Sequence, residues 1–117
     1  MEKSPKDFKI GIADGHIQTA IGVSEVLENE GFKTFQAYNG QDTIKICKNE
    51  KIDILIMGAV LDGMTGYQVA EALPNQKIFL ICDPENAKKM KNIVAYIQKP
   101  VDDDELIKTL RKYLKIK

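Results

Sequence analysis

The sequence predicts a three-layer α/β domain: a five-stranded, doubly wound parallel sheet in the order 2-1-3-4-5, with helices on both faces. Three observations predict it. Short apolar runs alternate with amphipathic stretches of helix length, the pattern of parallel strands joined by crossover helices. The run "ILIM" at 54–57 has no polar alternation, as a strand buried on both faces requires. The chain has 117 residues, of which 44% are hydrophobic, which suits one domain with a real core.

Each element follows in order, after an N-terminal tail at 1–7. Residues 8–13 form the first strand. Ile17, Ala20, Ile21 and Leu27 then recur at helical spacing up to Gly31, a residue suited to a helix C-cap. Residues 33–38 make the second strand, and "NGQ" at 39–41 opens a helix with Ile44, Cys47 and Ile46 inward. Residues 52–57 are the third strand, and 66–73 a short helix ended by Pro74. Residues 77–82 form the fourth strand, 84–92 a short Lys-rich fourth helix, and 93–97 the fifth strand. The last helix begins with "DDDE" at 102–105, with Asp102 and Glu105 at capping-box positions. Its apolar stripe is Leu106, Leu110, Tyr113 and Leu114, and its basic C-terminal end suits the helix dipole.

Composition excludes several functions. Seventeen basic and seventeen acidic residues cancel, so no overall field points to nucleic acid or an anionic membrane. No apolar run reaches the ~20 residues of a membrane span, and the first nine residues hold no apolar signal core. A cytoplasmic location is expected. Cys47 and Cys82 show neither CxxC nor zinc-type spacing, so reduced thiols are expected.

In this sheet order the topological switch lies between strands one and three, and ligands bind beyond their carboxyl ends. The residues placed there are Asp14-Gly15-His16 and Gly58-Ala59-Val60. The third strand thus delivers a residue with no side chain to the place where a functional group is expected.

The segments "FKIGIADGH", "GFKTFQAYNGQDTIKIC", "DILIMGAVLDGMTGYQV" and "YIQKPVDDDEL" together resemble a response-regulator receiver domain along essentially the whole chain. The resemblance implies the flavodoxin-like fold and a place in two-component phosphorelay signalling. In such receivers an Asp ending strand three accepts a phosphoryl group from a histidine kinase. Two acids after strand one help it hold Mg²⁺, while a Thr or Ser, a Lys-Pro pair and an aromatic read the phosphate. Carried over by position, the first acid is Asp14 and the second is Gly15. The phospho-acceptor position is Gly58, the Thr/Ser position is Cys82, the lysine is Lys99 with Pro100, and the switch aromatic is Tyr96. A cis peptide before Pro100 is implied as well.

The departures point one way. Glycine cannot act as a nucleophile, and Mg²⁺ wants several oxygen ligands in near-octahedral geometry. With Asp14 and Lys99 alone, the pocket is formally neutral and no metal is expected. Asp14 and Lys99 are expected to form a salt bridge rather than a ligand-binding pair, since buried charges persist mainly when paired. Asp62 is read as a turn residue rather than a substitute acceptor, and Asp53 as facing away from the site. Cys82 with His16 and Asp83 shows no motif of a nucleophilic enzyme, and the loop at 58–66 shows no nucleotide-binding glycine pattern.

The expectation is a degenerate, non-enzymatic receiver that works as a phosphorylation-independent protein-interaction module. Its partners would be signalling proteins, such as another receiver or a histidine kinase, with a weak homodimer possible. In the family the surface around Tyr96 docks partners, and a shortened fourth helix changes that surface here. The alternative from another class is a small-ligand sensor using the space left at Gly15 and Gly58.

Overall fold

A computed structural model describes residues 3–83, 85 and 87–116. After a single 3-10 turn at Pro5–Asp7, the order is β1 (Lys9–Ala13), α1 (Ile17–Asn29), β2 (Lys33–Ala37), α2 (Gly40–Asn49) and β3 (Ile54–Gly58). Then come β4 (Val60–Leu61), β5 (Met64–Thr65), α3 (Gly66–Ala72), β6 (Ile78–Ile81), β7 (Ile93–Ile97) and α4 (Asp103–Leu114). The main sheet runs β2-β1-β3-β6-β7, all parallel, which is the predicted doubly wound order.

Both faces of the sheet are apolar because successive side chains point to opposite sides. Ile10, Ile12, Ile54, Ile56, Phe79 and Ile81 pack with Ala20, Val23 and Leu27 of α1 and Leu106 and Leu110 of α4. Leu55, Met57, Ile78 and Leu80 face the other way, against Val69, Ala70 and Leu73 around α3. Fully burying a side chain of this size stabilises by roughly 1.5–3 kcal/mol, so the central strands anchor the fold. Tyr113 closes one rim by meeting Phe79 edge-on, with ring centroids 5.8 Å apart.

Helix ends follow the local chemistry. The Asn39 side chain accepts from the Asp42 amide and caps α2. Thr65 and Gln68 form a reciprocal capping box at α3. At α4 only half of the expected box forms: Asp102 accepts from the Glu105 amide. Gly31 takes φ +100, the left-handed conformation that ends α1.

Three expectations need correction. Ile17 and Ile21 are 53% and 40% exposed, and Ala20, Val23, Ser24 and Leu27 make the inner face of α1 instead. The strand expected at 52–57 is displaced to end on Gly58 itself. The helix expected across 84–92 does not extend through the described part of that segment: Glu85 has 3-10 geometry, 87–90 carry no regular structure and 91–92 form a turn. Pro84 and Asn86 lie outside the described residues. Side chains organise this segment instead. Asn92 donates to the carbonyls of Ala70 and Leu73, both at 2.9 Å, and so caps the end of α3.

Candidate functional site: the carboxyl ends of β1 and β3

Strand pairing sets the site. Ala13 pairs with Met57, so the next residues, Asp14 and Gly58, sit side by side at the carboxyl edge. The Asp14 amide extends the ladder by donating to the Ala37 carbonyl at 3.1 Å. The Asp14 side chain is buried, and its Oδ1 accepts from the His16 amide at 2.8 Å, which fixes the turn into α1. Its Oδ2 has no hydrogen-bond partner among the described residues. A Cβ placed on Gly58 would lie 3.0 Å from that oxygen, so the Asp14 carboxylate already leans over the position.

The loop after β3 is more ordered than the sequence suggested. Val60–Leu61 and Met64–Thr65 pair as a small antiparallel hairpin with Asp62-Gly63 at its tip, and Gly63 takes φ +79. The hairpin leans on the turn into α2: the Gly40 amide donates to the Asp62 carbonyl at 3.3 Å. A Cβ on Gly40 would overlap Met64 at 2.5–2.7 Å. Gly66, which opens α3, presses on the β3 terminus, where an added Cβ would lie 2.7 Å from the Gly58 carbonyl oxygen. Glycine at 66 is therefore a requirement of close backbone approach.

Asp14, Gly15, Gly58 and Lys99 line one cavity of about 670 Å³, together with Tyr38, Asn39 and Asp62. The expected Asp14–Lys99 salt bridge does not form. Asp14 is held instead by a backbone amide, and Lys99 stays exposed, which spares its ammonium the cost of desolvation. Cys82 is buried and lines neither this cavity nor its neighbour. Burial and the neighbouring Asp83 push its thiol pKa up, against the opposing pull of Lys99, so it is a poor nucleophile. The peptide before Pro100 is cis. Pro100 and Tyr96 line a second cavity of about 410 Å³ that Lys99 shares.

Tyr96 is 38% exposed, and its hydroxyl donates to the Lys88 carbonyl at 2.8 Å. The Lys88 amide donates to the Tyr67 hydroxyl at 2.9 Å. Two tyrosines from α3 and β7 therefore hold both backbone groups of one residue. Tyr96 was legible in the sequence and Lys88 reads there only as part of a solvated Lys cluster, while Tyr67 was not, because nothing in their spacing links residues so far apart in the chain.

The sequence pattern of the response regulator receiver domain matches residues 10–111. The chain belongs to the response-regulator receiver family. Receiver domains are modules of two-component signalling that interact with kinases or other regulators. The chain is 28% identical to sporulation initiation phosphotransferase F of Bacillus subtilis over 118 residues, covering 93% of this chain and 95% of that one. It is also 28% identical to protein PilH of Pseudomonas aeruginosa over 117 residues, covering 91% and 97%. Among solved structures, chemotaxis response regulator CheY4 of Vibrio cholerae superposes with a TM-score of 0.77 at 22% identity, covering 90% of this chain and 97% of that one. The receiver of a putative Luxo repressor from Vibrio parahaemolyticus gives 0.84 at 18% identity, covering 97% and 92%. These likenesses carry the fold.

The residues at the site do not fit a receiver's Mg²⁺. Among the described residues no group of three or more His, Cys, Asp or Glu side chains could hold a metal ion. Asp14 supplies one free carboxylate oxygen, and Gly15 and Gly58 supply no side-chain donor at all. A hard divalent ion would stay mostly hydrated there.

Proposed function

We propose that this receiver acts without phosphorylation, as a cytoplasmic protein-interaction module that presents one fixed surface to signalling partners. The observation that carries the reading is Gly58 at the carboxyl end of β3, beside a carboxylate that already overhangs it. In-line phosphoryl transfer needs a nucleophile at the acceptor position, and glycine at 58 supplies no side chain to act as one. Asp62, the nearest alternative acid on the loop, sits at an exposed hairpin tip and is read as a turn residue. The chain is accordingly read as having no enzymatic activity of its own.

The fixed surface is supported by the Tyr67–Lys88–Tyr96 tether. In the family, as the resemblance implies, the strand-five aromatic changes position with the state of the phosphorylation site. Here Tyr96 is tied to the chain segment beside it, which favours one position. A homotypic or heterotypic partner, a second receiver or a histidine kinase, would meet this face. The test is thermal unfolding with and without Mg²⁺ and a phosphoryl donor. An unchanged melting temperature supports the reading, since a ligand bound only by the folded state would raise it. Stabilisation by Mg²⁺ would reject it.

A further inference from the structure

We infer that the cavity at the carboxyl ends of β1 and β3 is a binding site for a small amino-acid-like zwitterion. The proposal rests on the reading above, that the cavity no longer serves phosphoryl transfer. Its warrant is a pair of opposite charges that share one cavity and do not meet. Asp14 is only 7% exposed, yet its Oδ2 has no protein partner among the described residues. Oδ2 is open to the cavity rather than sealed from solvent, so it can accept from a cationic group that enters there. Lys99 lines the same cavity and forms no ion pair among the described residues either.

A ligand with an ammonium group and a carboxylate would satisfy both ends at once. The ammonium would donate to Asp14 Oδ2 over Gly58, where no side chain intervenes, and the carboxylate would face Lys99. The volume, about 670 Å³, lies within the roughly 300–1,000 Å³ usual for ligand pockets. Exposed Asp62 at the rim adds a second carboxylate, so acid groups outnumber Lys99 and a second cationic group on the ligand is favoured. Exposed Ile17 and Val60, at 53% and 76%, also line the cavity and would cover the alkyl part of such a ligand. A basic amino acid has all of these features.

The experiment is a chemical-shift titration of the full chain with L-lysine, cadaverine and glutarate in parallel. Cadaverine lacks the carboxylate and glutarate lacks the amines. L-lysine is expected to bind saturably, moving the amides of residues 14–17, 58–62 and 99. Each comparator is expected to bind at least about tenfold more weakly, the size of one lost charged hydrogen bond. Lys99→Gln, an exposed substitution that leaves the core alone, should weaken L-lysine by a similar factor, and Asp14→Asn by more. Equal binding of cadaverine or glutarate, L-lysine affinity indifferent to Lys99→Gln, or no saturable shift would each overturn the inference. Mg²⁺-dependent phosphoryl labelling of the same sample would instead overturn the reading on which it rests.

Discussion

At the scale of single residues, the glycines at the edge of the sheet decide most of the chemistry. Gly66 and Gly58 differ in kind. A methyl at 66 meets the Gly58 carbonyl oxygen at 2.7 Å, and backbone cannot step aside. Gly66→Ala is expected to destabilise by roughly 1–3 kcal/mol, read by urea denaturation, as overpacking against a rigid neighbour does. At 58 the obstacle is the Asp14 carboxylate at 3.0 Å, a side chain that can shift. Gly58→Ala should therefore cost less than Gly66→Ala by the same measurement. Lys99 forms no ion pair among the described residues, so Lys99→Ala should change stability by no more than about 0.5 kcal/mol, as an unpaired surface substitution does. A melting temperature lowered by many degrees would show an interaction that the geometry does not contain. The placement of Asp14, Gly15, Gly58 and Lys99 around one cavity was legible in the sequence, whereas Cys82 and Pro100, expected in the same pocket, do not line it. The salt bridge was not, because pairing depends on where a long flexible side chain rests, and water competes well for an exposed ammonium.

At the scale of elements, the segment between β6 and β7 departs furthest from expectation. A helix was expected there, and the described residues 87–92 are held instead by Tyr67, Tyr96 and Asn92. Tyr96→Phe removes the hydrogen bond to the Lys88 carbonyl and Tyr67→Phe the one from the Lys88 amide, each worth about 1 kcal/mol. Each is expected to speed hydrogen exchange in residues 87–90 while leaving α1 and β3 unchanged. The hairpin at Val60–Leu61 and Met64–Thr65 was legible only as an Asp-Gly turn, since two-residue strands are too short to carry an alternation pattern. Helix α1 misled for another reason. Ile17 and Ile21 look like core residues by hydrophobicity, yet the stripe that meets the sheet runs through Ala20, Val23, Ser24 and Leu27. The α2 helix carries a pH dependence: burial pushes the Cys47 thiol from 9.0 up to about 11. The unfolded chain loses that proton first, so stability is intact below about pH 9 and falls as pH rises toward 11. Denaturation midpoints measured across that range should decline, and Cys47→Ala should flatten the decline.

At the scale of the whole molecule, the sheet order, both apolar clusters and the cis peptide before Pro100 keep the receiver frame. Four of the five strands were legible as apolar runs and β2, Lys-Thr-Phe-Gln-Ala, as an alternating one, and their order followed from helices on both faces. What the frame does at its carboxyl edge is a separate matter, since a fold hosts many functions and the site decides among them. The central claim is that this edge has lost its phosphoryl chemistry, and the most direct measurement is intact-mass analysis after incubation with acetyl phosphate and Mg²⁺. The account predicts no phosphoryl adduct on the native chain. It also predicts Mg²⁺-dependent labelling at residue 58 once Gly15→Asp and Gly58→Asp are introduced together. A stoichiometric, Mg²⁺-dependent adduct on any aspartate of the native chain would contradict it.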